Sequence, residues 1–289
     1  MHLGSLFTAL ARCLEARSRS GQWLLRIDDV DPYRTQPGAT DRILFSLETL
    51  GLFWDGPVFY QSRQTDRYRT VLENLQSRGL VYACTCSRKT LARTLPGDQP
   101  QVYPGHCRDK GPMAVTTSHA LRVIVPDGAA MVFEDRIRGP ITQDLAREVG
   151  DFILFRRDGA FAYHLATVLD DAEQDVTDVL RGLDLLDSTP RQIYLQQLLG
   201  LSTPDYAHTP ILMNADGSKL SKRTFAAEAE TRHPGALLFY LLNLLNQSPP
   251  MNMRRTPANE LLAWAVAHWR PERLRGIDRI VIDPGAFGA

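Results

Sequence analysis

The sequence is short of several things, and each shortage excludes something. It has only 4 cysteines in 289 residues, too few for a disulfide scaffold. Its 33 basic and 33 acidic residues cancel, which excludes a chain that grips nucleic acid by overall charge; any such contact must come from a local patch. No apolar run approaches the ~18 residues needed to cross a bilayer. No charged-then-apolar leader is expected, because MHLGSLFTAL enters an amphipathic pattern at once. There is no internal repeat and no low-complexity stretch. What remains is an ordinary globular balance, 44% hydrophobic and 23% charged, with room for one large domain or two smaller ones. The expectation is a soluble α/β chain of the cytoplasm, a monomer with no membrane partner.

The apolar spacing sets out the elements. Leu3, Leu6, Phe7, Leu10 and Leu14 predict a helix to about Arg19. Trp23–Ile27 reads as a strand that runs into the acids Asp28, Asp29 and Asp31. Helices follow over about 41–50 and 65–79, then a strand over 81–84, the order of a wound α/β sheet. Between Ser87 and Gly150 prolines and glycines accumulate around two strands, Ala120–Val125 and Ala130–Phe133, with Asp127-Gly128 suited to a hairpin between them. This region reads as an insertion. The wound pattern returns at Phe152–Phe155, the Arg157-Asp158-Gly159 turn, a segment from Ala162 to Leu180 and a helix over about 190–199; after Arg223 the chain turns helical. The boundaries expected are therefore 1–83 and 150–225 for the two halves of a nucleotide-binding domain, 84–149 for the insert and 226–289 for a small helical region. A wound domain normally opens with a strand that leads into its first helix. Here the helix begins at residue 2 or 3, so the expectation is a missing first strand, through a misplaced start or a truncated record.

Four groups of residues have chemistry in them. His2-Leu3-Gly4-Ser5 opens a helix, where free N–H groups and the positive dipole end suit a phosphate; the plain alternative is a terminal His before a Ser cap. Gly217-Ser218-Lys219-Leu220-Ser221-Lys222-Arg223 puts three cations in a Gly-started loop, suited to a polyphosphate or simply to solvent. Cys84, Cys86 and Cys107 have the spacing to hold one zinc, with Tyr103 or His106 as fourth ligand, against a reading as unrelated thiols; Cys13 reads as a small apolar residue of the first helix. Asp170 and Asp171 end an apolar stretch, where α/β sheets present ligand groups, and Arg181 is a fork for a carboxylate; the alternatives are capping acids and a surface ion pair.

Taken in order, these pieces resemble class I aminoacyl-tRNA synthetases. HLGS resembles the HIGH signature and KLSKR the KMSKS signature. LLRIDDVDPYR and FRRDGAFAYHLATVLDDAEQDVTDVLRG resemble two segments of the glutamyl branch, and the likeness covers residue 2 to about 223. The 66 residues after Arg223 are too few for an anticodon-binding region of the standard glutamyl enzyme, and the C-x-C…Y-x-x-x-C pattern resembles the glutamyl-queuosine tRNA(Asp) synthetase family, a truncated paralog. That resemblance implies a Rossmann-like parallel sheet with a zinc-bearing insert. It also implies activation of L-glutamate by ATP with Mg2+, without tRNA, and transfer to queuosine at the wobble position of tRNA(Asp).

Carried onto this sequence, the resemblance gives His2 and Gly4 the ATP phosphates. Lys222 would bind ATP, and Lys219 would stabilise the departing pyrophosphate. Tyr163 and Arg181 would hold glutamate, Arg181 at its side-chain carboxylate, and Asp28 would meet its amino group. Cys84, Cys86, Tyr103 and Cys107 would hold structural zinc, with His106 still a rival on chemistry alone. Three departures stand out. The loop that precedes the HIGH segment in the family, with its Arg and Ser, has no counterpart; Asp28 is one methylene shorter than the family's Glu; and Ser5 replaces the second His of HIGH. The competing readings are a standard glutamyl-tRNA synthetase cut at both ends, a different adenylyl transferase, and a non-catalytic RNA-binding paralog.

Overall fold

Residues 1–31, 33, 35–87, 91, 102–110, 119–218, 220 and 233–282 are described by a computed structural model. The first helix, α1, spans Leu3–Ser18 and buries the face its spacing predicts: Leu6, Leu10 and Leu14 are fully enclosed. Each such leucine contributes about 1.5–3 kcal/mol of burial. Helix α2 (Ala39–Thr49) packs into the same core. Between them only Arg26–Ile27 form a strand, β1, which pairs in parallel with β2 (Phe59–Tyr60); this is shorter than the predicted Trp23–Ile27. Helix α3 covers Thr65–Ser77.

Strand β3 (Val81–Cys84) runs antiparallel to β4 (Ala120–Val123), and β4 to β7 (Ile153–Phe155). Strand β5 (Ala130–Asp135) instead forms a hairpin with β6 (Gly139–Asp144). The Asp127-Gly128 turn therefore does not close a hairpin of β4 on β5, as the spacing predicted. It carries the chain from one sheet to another, since β4 pairs with β3 and β7 while β5 belongs to a different sheet. A short helix α4 (Leu145–Glu148) follows, capped by the Asp144 carboxylate.

After β7 come α5 (Tyr163–Glu173), β8 (Asp178–Gly182), α6 (Ser188–Leu199) and β9 (Asp205–Thr209). The sheet order is β6–β5–β9–β8, parallel across β5, β9 and β8 and antiparallel at β6. The register sets Arg181 of β8 opposite His208 of β9, and pairs Asp135 of β5 with Tyr206 of β9. Strands β10 (Ile211–Met213) and β11 (Arg279–Val281) pair in parallel. Helices α7 (Pro234–Leu244) and α8 (Ala258–His268) share a core with α1 and α2. Buried Glu15 on α1 ties this union, accepting from Trp269 Nε1 at 2.7 Å and from Arg136 at 2.7 Å. A second core gathers α3, β3, β4, β7, α5 and α6. Among the described residues, no helix is long and apolar enough to cross a membrane.

Candidate active site

An open cleft of about 1160 Å³ lies at the N-terminus of α1, bounded by the segment around β1, the turn into α5 and the end of β8. His2, Gly4, Arg12, Asp28, Tyr163 and Arg191 are among its lining residues.

His2 is itself the N-cap of α1. Its Nδ1 accepts from the Ser5 N–H at 3.2 Å, and its Nε2 lies 2.8 Å from Ser5 Oγ. A Cβ at position 4 would stand 3.3 Å from the His2 ring, so glycine there lets the imidazole fold back over the helix start. His2, Gly4 and Ser5 line the cleft, so the positive end of the α1 dipole lies at it, which favours an anion. One helical face further along, Arg12 is exposed into the cleft and donates Nε to the Leu180 carbonyl at 2.6 Å, fastening α1 to β8. Helical spacing alone marks Arg12 only as a polar position.

The acids after β1 are all engaged. Asp28 takes Arg26 Nε at 2.7 Å while remaining nearly half exposed to the cleft. Asp29 accepts from the Ser62 N–H and hydroxyl at 2.8 and 2.7 Å, and Asp31 accepts from Arg156 at 2.5 Å. Arg26 also reaches Asp171 at 2.5 Å. Burial works against the Arg26 charge, but Asp28 and Asp171 outweigh it and hold the guanidinium firmly protonated. Asp170 is fully buried and accepts from Gln61 at 2.8 Å and from Tyr68 at 2.7 Å. Burial, above all, raises its pKa. Asp170 and Asp171 thus sit on the last turns of α5, not at a strand end, and do not line the cleft. They fasten the helix to the segments around β1 and β2, because an apolar run of helical length carried them past the site.

Arg181 is 2% exposed and lies behind Tyr163. Its Nε donates to His208 Nε2 at 3.2 Å, Nη1 to Tyr163 Oη at 3.2 Å and Nη2 to Thr189 Oγ1 at 2.7 Å. Tyr206 lies beneath it, with the guanidinium carbon 5.4 Å from the ring centre. Among the described residues no carboxylate comes within 4.0 Å of this cation. Three of its five donors are used, leaving two. His208 in turn meets Asp135, Nδ1 to Oδ2 at 2.5 Å, with both side chains fully buried. Asp135, Thr189 and His208 are not legible as site residues in the sequence; the nearest signal is a histidine in a short strand, Asp205–Thr209, between two aromatic or apolar stretches of no special spacing.

Beside β3, the sulfurs of Cys84, Cys86 and Cys107 lie within 4.8 Å of one another. Cys86 and Cys107 are 3.6 Å apart, and the Tyr103 hydroxyl stands 3.3 and 3.5 Å from the sulfurs of Cys84 and Cys86. A tetrahedron built on ~2.3 Å Zn–S bonds has S···S edges of about 3.75 Å, so this donor set fits one zinc. His106 is exposed outside the group, its ring meeting Tyr103 at 6.5 Å. The Tyr103 ring carries Arg122 at 3.9 Å on its face. Gly150 packs on the Tyr103 backbone, where a Cβ would come within 2.9 Å of the carbonyl oxygen.

Lys219 and Lys222 lie outside the described residues. Between them Leu220 is 4% exposed, packs into the core of α1 and lines the cleft.

Comparison with known proteins places the chain in a family. The family described as tRNA synthetases class I (E and Q), catalytic domain, matches residues 1–248. The glutamyl-Q tRNA(Asp) synthetase of Methylococcus capsulatus is 49% identical over 274 residues, covering 95% of this chain and 89% of the relative. The protein of that name from Pseudomonas aeruginosa is 48% identical, covering 95% and 91%. Among solved structures, a glutamate tRNA ligase from Elizabethkingia meningosepticum, in complex with its amino acid, superposes with a TM-score of 0.78 at 23% identity, over 99% of this chain and 66% of that one. The chain belongs to the class I (E and Q) tRNA synthetases, a family of ligases, and within them to the glutamyl-Q tRNA(Asp) synthetases.

Proposed function

We propose that this chain activates L-glutamate with ATP, without waiting for tRNA, and transfers the glutamyl group to queuosine at the wobble position of tRNA(Asp). The observation that carries the glutamate half is Arg181. A guanidinium buried with no carboxylate partner is costly, by several kcal/mol. Its two unused donors and the unshared proton of the Tyr163 hydroxyl form a receptor for a planar anion. The side-chain carboxylate of glutamate has that shape and charge. The queuosine half rests on the names of the relatives and on the Cys-rich insert, which we assign to residues 84–149.

The α-carboxylate attacks the α-phosphorus of ATP, pyrophosphate leaves, and a mixed anhydride with AMP remains. A carboxylate is already ionised, so no general base is needed, and catalysis reduces to positioning and charge stabilisation. His2, Gly4 and the first turn of α1 hold the phosphates, Asp28 meets the ammonium group, Lys222 binds ATP, and Lys219 follows the pyrophosphate. A queuosine hydroxyl then attacks the acyl carbon, and AMP departs. Magnesium accompanies the ATP. Cys84, Cys86, Cys107 and Tyr103 would hold zinc, which would supply a fixed cross-link for the insert.

The test is ATP–pyrophosphate exchange on the chain as it stands, with no tRNA. Exchange with glutamate, absent with aspartate and glutamine, is the expected result. Transfer of labelled glutamate to queuosine-containing tRNA(Asp), and none to the unmodified tRNA, completes it. Exchange that requires tRNA, or none at all, overturns the reading.

A further inference from the structure

Three neighbouring strands each contribute one buried polar side chain behind the cleft: Asp135 from β5, His208 from β9 and Arg181 from β8. The arrangement has a direction. Oδ1 of Asp135 is occupied by the backbone N–H groups of Ile137 at 3.0 Å and Arg138 at 2.8 Å. Its other oxygen, Oδ2, is left for His208 Nδ1 at 2.5 Å. Nδ1 must therefore carry the proton, and Nε2 of the same ring must be the acceptor. That acceptor is where Arg181 Nε points and where the Thr189 hydroxyl turns its proton, each at 3.2 Å. Tyr206 stacks on the imidazole, its plane within 14°. Besides Asp135, the charged groups around the ring are Arg181 and Arg138, whose Nε is held on the His208 carbonyl. Burial, with Arg181 adding to it, lowers the His208 pKa, and Asp135 opposes this only in part, so the ring stays neutral.

From this geometry we infer that Asp135 and His208 form a positioning pair: the aspartate sets the imidazole tautomer, and the imidazole aims the Arg181 fork at the ligand carboxylate. The inference rests on the reading of Arg181 as the glutamate receptor. Neither member of the pair lines the cleft. Both therefore act through Arg181.

The informative change is Asp135→Asn. The backbone N–H groups of Ile137, Arg138 and, at 3.3 Å, His208 keep the amide oxygen at the Oδ1 position, so the NH2 is turned on the His208 ring and pushes it into its other tautomer. A donor then faces the Arg181 Nε donor, and the fork must turn away. The measurement is tRNA-independent pyrophosphate exchange with glutamate and ATP varied separately, on the full chain, its Asp135→Asn and His208→Phe variants, and Arg181→Met as reference. Expected are a tenfold or greater rise in the glutamate KM in both Asp135→Asn and His208→Phe, with the ATP KM within twofold of the parent. A purely structural role would move both KM values, or the melting temperature alone, and would overturn the inference. A raised glutamate KM in Arg181→Met with none in Asp135→Asn overturns the positioning pair and leaves the receptor intact. An unchanged glutamate KM in Arg181→Met overturns the receptor reading itself. The 15N spectrum of the parent protein gives a test independent of any variant's folding: His208 is expected as the neutral, Nδ1-protonated form at pH 7 to 8, and an Nε2-protonated or cationic ring there overturns the inference.

Discussion

Nη1 of Arg181 donates to the hydroxyl of Tyr163 at 3.2 Å, so that a buried cation is separated from the cleft by one phenol. The phenol accepts from the cation and still has its own proton to give. A carboxylate that enters past Tyr163 meets an O–H and, behind it, an N–H fork that no other acid has claimed.

Arg181→Met tests this relationship. Truncating one partner of a buried charged contact removes about 3 kcal/mol of binding, about 100-fold. The glutamate KM in pyrophosphate exchange is expected to rise by that factor. Stability in urea unfolding is expected to hold or rise, because relief of the uncompensated buried charge offsets the three hydrogen bonds lost with the guanidinium.

The thiol cluster predicts one zinc per chain by elemental analysis. Cys107→Ser is expected to lose it after chelator treatment, since a thiolate of the tetrahedron is gone. Tyr103→Phe is expected to release zinc faster than the parent and His106→Ala to behave like it, because the Tyr103 hydroxyl meets two of the sulfurs and His106 lies outside. The reverse order would make His106 the ligand.

Gly150→Ala is expected to loosen the same region from a distance. Gly150 has φ +66° and a close approach to the Tyr103 backbone, so a methyl group is strained on both counts. The cost is about 1–3 kcal/mol. It is read as lower urea stability together with faster zinc release, and a neutral result would mean that the Tyr103 loop can give way.

His164 carries a pH prediction. Burial, followed by the charges of Arg191 and Arg181, lowers its pKa from 6.5 to about 3. Between those values the unfolded chain holds a proton that the native chain does not, so stability falls as pH drops from 6.5 toward 3. The full slope for one proton is about 1.4 kcal/mol per pH unit, reduced here because the ring is partly exposed at the cleft. His164→Gln removes this contribution. Relative to the parent it is expected to gain about 1–2 kcal/mol between pH 7 and pH 4.5 in urea unfolding. A constant difference across that range would place the His164 pKa near its ordinary value.

The sequence by itself determined whatever depends on local order. The 3.6-residue spacing of Leu3, Leu6, Leu10 and Leu14 is sufficient for α1, and Val81–Cys84 is a strand from end to end as its apolar run predicts. The HLGS and KLSKR segments, the Cys84-Thr85-Cys86 pair and the Tyr163–Arg181 stretch are legible as patterns, and their order along the chain carries the likeness to the family, which the comparisons bear out. Tertiary structure alone decided the rest. Asp170 looks like a ligand acid until α5 turns it onto Tyr68 and Gln61. Asp127-Gly128 looks like a hairpin turn until β4 and β5 take partners in different sheets. Asp135, His208 and Arg181 lie on three separate strands and become one unit only through the register of β5, β9 and β8. A shift of one residue would send a side chain to the opposite face of the sheet. Register is fixed by which faces are buried across the whole sheet, a property of the packed molecule that no stretch of chain contains.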